Sequence, residues 1–361
     1  MRNKRKKYLI IYTGVFVAFL FSLCFSTAES KFIPAETVKN IGAVFKIAFA
    51  DIFNSGEGVE QLRNSLPYYG QTIARIKLSV ISMFSGMAIC FAGTIFQTTF
   101  KNPLASPNLL GVSTGVTLGN IIFVLAFQLN AYAMISYRYP ICYGMAALIV
   151  FITVLSGKIA GRKYNNFSVE TMIILGMIIS HLGSVFTTYY SYQITMDENG
   201  LADIYSVITG GNVIYVDTVS FLSFILVFMV TTLPMLLIRY RYNIVTFSDE
   251  EALAMGVSGN KLRTVGLILG SFMSAASTIH GGEIGFLSMV IPFLCRKKLH
   301  AEFGEVVITS MGIGAILTLL SRSVYNFFFH AGLPVTVGAI TTLIVLPIFV
   351  VSLIKRDEGF S

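Results

Sequence analysis

Long apolar runs alternate with short polar interruptions along the whole chain. Ten runs stand out, at about 8–28, 71–98, 108–128, 140–160, 169–191, 213–238, 261–280, 283–295, 304–325 and 334–354. Most approach the ~20 residues that a helix needs to cross a ~30 Å hydrocarbon core. A spanning β-strand would need only ~10 residues of alternating pattern, which these runs lack. The pattern predicts an all-α polytopic membrane protein. The eighth run is too short to cross alone and predicts a broken or tilted helix. The first run follows the basic stretch "RNKRKK" and is longer than the apolar core of a typical signal peptide, so it predicts a retained first span.

Composition agrees: the chain is 55% hydrophobic and 12% charged, with a mean hydropathy of +0.74. The net charge of +8 comes in blocks between the runs, which argues against a nucleic-acid partner. With the N-terminus inside, 18 Lys and Arg fall on the cytoplasmic side and 8 outside. That bias predicts two cytoplasmic termini and an even number of spans. The layout is one transmembrane domain over 1–361: a first span at 8–28, an external segment at 29–70, spans two to six within 71–238, a cytoplasmic connection at 239–263 and spans seven to ten within 264–356. In the external segment, "TVKNIGAVFKIAFADIF" has the spacing of a surface helix. Nothing resembles a P-loop, so any nucleotide-driven work falls to a partner. The four cysteines form no C-x-x-C and read as buried small apolar residues rather than metal ligands.

Two polar interruptions carry more information. At 100–115 the chain reads "FKNPLASPNLLGVSTG". Asn102-Pro103 and Ser106-Pro107 disfavour helix at Asn102 and Ser106. Gly111, Gly115 and Gly119 then recur every four residues, a ladder that lets another helix approach closely. The stretch is either a loop followed by a packing face or broken helix beside a transport pathway. In the cytoplasmic connection, Ser248 and Glu251 form an S-x-x-E capping box, and Asp249 and Glu250 add negative charge to the first turn. Gly256 is placed to end the helix. A short, rigid helix is expected there.

The stretch "GTIFQTTFKNPLASPNLLGVSTGVTLGN" resembles the signature of FecCD-type permeases of bacterial ABC importers, through Gly93, Gln97, Asn102, Pro103, Leu104, Ala105, Pro107, Leu110, Gly111, Val112 and Gly115. "EEALAMGVSGNKLR", "GEIGFLSMVIPFLCR" and "LPVTVGAITTLIVLPIFVVSLIKR" resemble later parts of that family, so the likeness covers about 71–356. The resemblance implies a type II ABC importer permease fold in a bacterial plasma membrane, with spans two to five and seven to ten as an inverted repeat. It implies a second permease subunit, two ATPases that bind ATP and Mg, and an extracytoplasmic substrate-binding protein. The permease itself would hold no cofactor and no catalytic residue. Its cargo would be a ferric siderophore, then haem, then cobalamin, carried by alternating access. An ion-coupled secondary transporter is the competing class, but it needs mid-span carboxylates, which are nearly absent.

The resemblance also assigns roles. Ser248, Asp249, Glu250, Glu251, Ala254, Met255 and Gly256 would couple to the ATPase. Arg75, Lys77 and Arg322 would receive the binding protein at an external mouth, with Leu78 standing where the family has a second arginine and Tyr325 where it has another. Span five, with Ser180, His181, Ser184 and Thr188, would follow the pathway. His280 and Glu283 are expected in a wet vestibule near the outer face; Glu283 stands at a family proline, and Phe293 at a family histidine.

Overall fold

The computed structural model describes residues 2–24, 69–130, 133–161, 169–196, 218–299, 302–328 and 336–354, with Gly42, Leu201 and Tyr205. All regular structure among them is helical: α1 (Arg2–Leu23), α2 (Tyr69–Thr99), α3 (Val112–Phe127), α4 (Arg138–Gly161), α5 (Val169–Thr195), α6 (Thr218–Leu237), a short α7 (Asp249–Ala254), α8 (Gly259–Gly281), α9 (Leu287–Leu299), α10 (Phe303–Phe328) and α11 (Val337–Ile354), joined in places by single helical or 3₁₀ turns. Each of the ten apolar runs holds one helix, and α7 falls in the polar connection. Most of the external segment at 29–70 lies outside the described residues.

Helix α2 is the centre of the bundle: 83% of its apolar window is buried, against 17% for α5. It packs against α8, α9, α10, α1 and α6. The two halves pack reciprocally, α2 on α9 and α10, and α8 on α3 and α4. An inverted repeat of α2–α5 and α8–α11 requires that exchange. Apolar burial cannot drive this association in lipid, where the solvent is as apolar as leucine; close approach and interhelical hydrogen bonds do it instead. A Cβ on Gly86 would fall on the Gly314 carbonyl, and one on Gly93 on the carbonyl of Ser288. Thr318 Oγ1 donates to the Ser82 carbonyl at 2.8 Å and Ser277 Oγ to that of Ser85 at 3.1 Å, tying α10 and α8 to α2.

The first span docks into this bundle. Tyr12 donates to the Ile308 carbonyl at 3.1 Å, and Ile11 sits over Gly312. The eighth run is a broken element, as its length requires: 282–286 are non-helical and α9 follows with only 13 residues and Pro292 within it. Cys90, Cys142 and Cys295 are buried, as expected, and Cys24 is half-buried.

One end of the bundle gathers the last turns of α2, α6, α9 and α11 with the start of α10. Asn243 Oδ1 accepts from the Phe303 amide at 2.8 Å, Lys101 Nζ donates to the Phe247 carbonyl at 3.0 Å, and Lys297 Nζ donates to the Ser352 carbonyl at 2.9 Å.

Candidate functional site

The connection after α6 is built rather than loose. A helical turn at Arg239–Tyr242 and a 3₁₀ turn at Asn243–Thr246 carry the chain to Ser248. Tyr242 anchors them: its ring is fully buried, its hydroxyl bonds Thr99 at the end of α2, and a Cβ on Gly266 would strike the ring. The expected capping box is complete. The Ser248 amide donates to Glu251 Oε2 at 2.9 Å, and the Glu251 amide donates to Ser248 Oγ at 3.2 Å. The Ser248 amide and hydroxyl, both donating to that carboxylate, and the charge of Lys101 hold the Glu251 carboxyl below its ordinary range.

The far end of α7 is capped as firmly. The Val257 amide donates to the Ala252 carbonyl and the Gly256 amide to that of Leu253, both at 2.9 Å, which is a Schellman pair. It requires Gly256 in the left-handed region, and its φ is +74°. Ala252 faces inward, while Phe247, Leu253 and Met255 are 46%, 64% and 48% exposed. Glu250 and Ala254 are exposed too. A rigid helix thus shows an apolar face outward, with the Asp249 backbone at its start.

The signature residues serve packing. Gln97 Nε2 donates to the Met289 carbonyl at 2.8 Å, joining α2 to the start of α9 beside the Gly93–Ser288 contact. Asn102 Oδ1 accepts from the Leu104 amide at 2.9 Å, an Asx turn that replaces helix ahead of Pro103. Pro107 opens a 3₁₀ turn, and Gly111 at φ +75° closes it and begins α3. The ladder then meets α4: a Cβ on Gly115 would lie 2.6 Å from Ala146 Cα, and one on Gly119 2.7 Å from Cys142 Cα. The stretch is a loop followed by a packing face, and its 3₁₀ turn lies against α5, where a Cβ on Gly176 would fall on the Leu109 carbonyl. Lys101, which the sequence did not single out, links the turn to the connection after α6 through Phe247.

The remaining candidates separate. His181, Ser184 and Thr188 lie on an exposed face of α5, where Ser184 Oγ donates to the His181 carbonyl at 2.7 Å and Thr188 Oγ1 to that of Ser184 at 2.8 Å. Ser180 is half-buried against Gly111. His280 corrects the vestibule expectation. It is 3% exposed, bonded through Nδ1 to Ser220 Oγ at 3.1 Å and stacked on Tyr139 at 5.0 Å, because α8 turns that face toward α4 and α6. Glu283 stays exposed in the 282–286 break, with its backbone against Gly338.

Arg75 and Arg322 are a second correction. Both are buried within the helices, so neither is the open charge expected at a mouth, and partly exposed Lys77 donates to Thr218 at 3.1 Å. A buried cation the sequence reading left among the outer charges is Arg138. It bonds Asn120 Oδ1 at 2.9 Å and the Ile279 carbonyl at 3.0 Å, locking α4 to α3 and α8. An arginine opening a run, with an asparagine one residue beyond the glycine ladder, is the signal that could have found it.

The model of the FecCD transport family matches residues 37–355. The chain belongs to the FecCD transport family. Its relatives include the molybdate import system permease protein MolB of Haemophilus influenzae, 25% identical over 81% of this chain and 84% of that one. The hemin transport system permease protein HmuU of Yersinia pestis is 24% identical over 88% and 91%. Among solved structures, a metal-chelate type ABC transporter in an inward-facing conformation matches with a TM-score of 0.71 at 20% identity, covering 98% of this chain and 99% of that one. The FecCD chain is therefore a multi-pass membrane permease of the ABC class, with the type II importer fold its sequence led us to expect.

Proposed function

We propose that the chain is the permease subunit of an ATP-driven importer of an iron chelate, a ferric siderophore ahead of haem and haem ahead of cobalamin. The observation that carries the reading is α7: six residues capped at both ends, with Leu253 and Met255 outward, at the end of the bundle where the basic blocks collect. A stiff helix with an exposed apolar face suits transmission of force from a partner. The partner would be an ATPase, and it would hold the ATP and Mg.

In this reading both termini are cytoplasmic in a bacterial inner membrane, two permease chains meet around the pathway, and a binding protein docks at the end of Lys77. Closure of two ATPases would push α7 and rearrange the helices behind it. The exposed polar strip of α5 supports a place for His181, Ser184 and Thr188 along the pathway.

The test is reconstitution with a candidate ATPase and binding protein. ATP-dependent uptake of a radiolabelled ferric siderophore is expected, with the ATPase co-purifying. Uptake driven by an ion gradient without ATP would overturn the reading. The MolB likeness favours one second reading, a small metal oxyanion as cargo. Uptake of molybdate with none of the iron chelate would establish it.

A further inference from the structure

A cavity of about 320 Å³ lies between α4 and α8, away from the α5 strip, with one end beside the first turns of α8. Its walls are mostly apolar, formed on one side by Ala146, Val150 and Val154 and on the other by Ile268, Phe272 and Ala275, with Ser271 the polar exception among them. Phe151 and Leu155 flank it and are 63% and 42% exposed, so it is a groove open along its length to the surroundings of the bundle. One end is different. Lys158, three residues before the end of α4, closes the apolar stripe beside Thr264, five residues into α8. Lys261 precedes Thr264 by one helical turn, continues the same stripe of α8 and is exposed.

Length identifies the occupant. From Ala146 to Lys158 a helix rises about 18 Å. That is close to the ~15 Å depth of one leaflet of a ~30 Å core, and too short to seat a spanning helix along its whole length. An apolar slot one leaflet deep, with cations at its polar end, matches one acyl chain beneath an anionic headgroup. We propose that the α4–α8 groove is a binding site for an anionic phospholipid, with its phosphate at Lys158 and Lys261 and an acyl chain along Val154, Val150 and Ala146. The phospholipid belongs to the cytoplasmic leaflet, an assignment that rests on the orientation proposed above.

The chain contains no tryptophan, so one introduced indole reports its own surroundings. Phe151→Trp places it at the groove, and Phe16→Trp on the exposed face of α1 serves as the reference. The purified full chain is reconstituted in nanodiscs holding phosphatidylglycerol or phosphatidylcholine brominated at mid-chain. Quenching at position 151 should favour brominated phosphatidylglycerol, and position 16 should show no preference. Lys158→Gln and Lys261→Gln should each lower that preference about five-fold. Ala147→Phe, which fills the groove and leaves both lysines, should remove it while the protein stays monodisperse.

Equal quenching by the two lipids at position 151, unmoved by the lysine changes, would make the groove ordinary lipid-facing surface and overturn the proposal. Quenching by neither lipid, with a blue-shifted emission, would mean that protein fills the groove and would overturn it too. The readout needs neither transport nor a known sidedness, so its failure and that of the importer reading are separable.

Discussion

Gly256 offers the sharpest test of whether α7 must be rigid. Its φ is +74°, and beyond its own chain neighbours no atom lies within 4 Å of the place where a Cβ would stand. A side chain there meets no neighbour, so the cost of substitution falls on the backbone alone. A non-glycine residue in the left-handed region costs about 1–2 kcal/mol, most for β-branched residues and least for asparagine. A penalty of that size shifts the ratio of capped to frayed α7 by about 5–30-fold. On the importer reading, Gly256→Val should therefore reduce chelate uptake per ATP hydrolysed in proteoliposomes, Gly256→Ala should fall between, and Gly256→Asn should stay near wild type. Hydrogen exchange over 247–258 should rank the three variants in the same order. Wild-type uptake and protection in Gly256→Val would refute the argument. So would equal impairment of the asparagine and valine variants, because the constraint would then be side-chain size rather than φ.

Three further predictions concern other parts of the chain. Gly115→Leu should lower the Tm of detergent-purified protein by forcing α3 from the Ala146 backbone, an overpacking cost of about 1–3 kcal/mol or more, whereas Gly144→Leu, with open space at its Cβ, should not; equal Tm values would sink the ladder. Glu251 has a folded-state pKa below its ordinary 4.5, so its contribution to α7 is present above that value and lost as pH falls through the lower one; exchange protection of α7 should drop below about pH 4.5, and Glu251→Gln should flatten the profile. Arg75→Glu buries a carboxylate and should cost folded yield, while Lys77→Glu should keep yield and weaken binding-protein docking in nanodiscs, less so in high salt; a full yield of Arg75→Glu would mean that the site is solvated.

The sequence carried what depends on short-range chemistry. Run length gave ten apolar elements, each of which holds a helix, seven of them long and apolar enough to cross a membrane among the described residues, and the S-x-x-E spacing with Gly256 gave both caps of α7, since each cap closes within a few residues. The glycine ladder was legible as a packing face, but its partner was not: Cys142 and Ala146 come from another helix. His280, Arg75 and Arg322 were misplaced for the same reason. A polar residue near the end of an apolar run reads as facing water, and only the neighbours decide otherwise. For His280 these are Tyr139 on α4 and Ser220 and Phe224 on α6, all distant in sequence. Arg138 hid in the same way, since its acceptors on Asn120 and Ile279 are 18 and 141 positions away.

The structure joins two motifs that the sequence kept apart. Lys101 stands at φ +50°, a conformation costly for a non-glycine residue, and from there its ammonium reaches the Phe247 carbonyl one residue before the Ser248 cap. Two residues earlier, Thr99 bonds the buried hydroxyl of Tyr242. The last turn of α2 is thus held to the connection after α6 at two points, one on each side of the end of the helix. Helix α2 is also the element most deeply packed, against α8, α9 and α10, while α5 packs on α3 and α4. A push on α7 would meet α2 through Thr99 and Lys101 and α8 through the short connection at 255–258. Among the described residues it would reach the exposed strip of α5 through α3, α4 and the turn at 107–110. On the importer reading, force would then pass through the centre of the bundle before it reached the pathway. That order suits a turn made of prolines and an Asx bond, because a turn that does not stretch can pass displacement from α2 to α3.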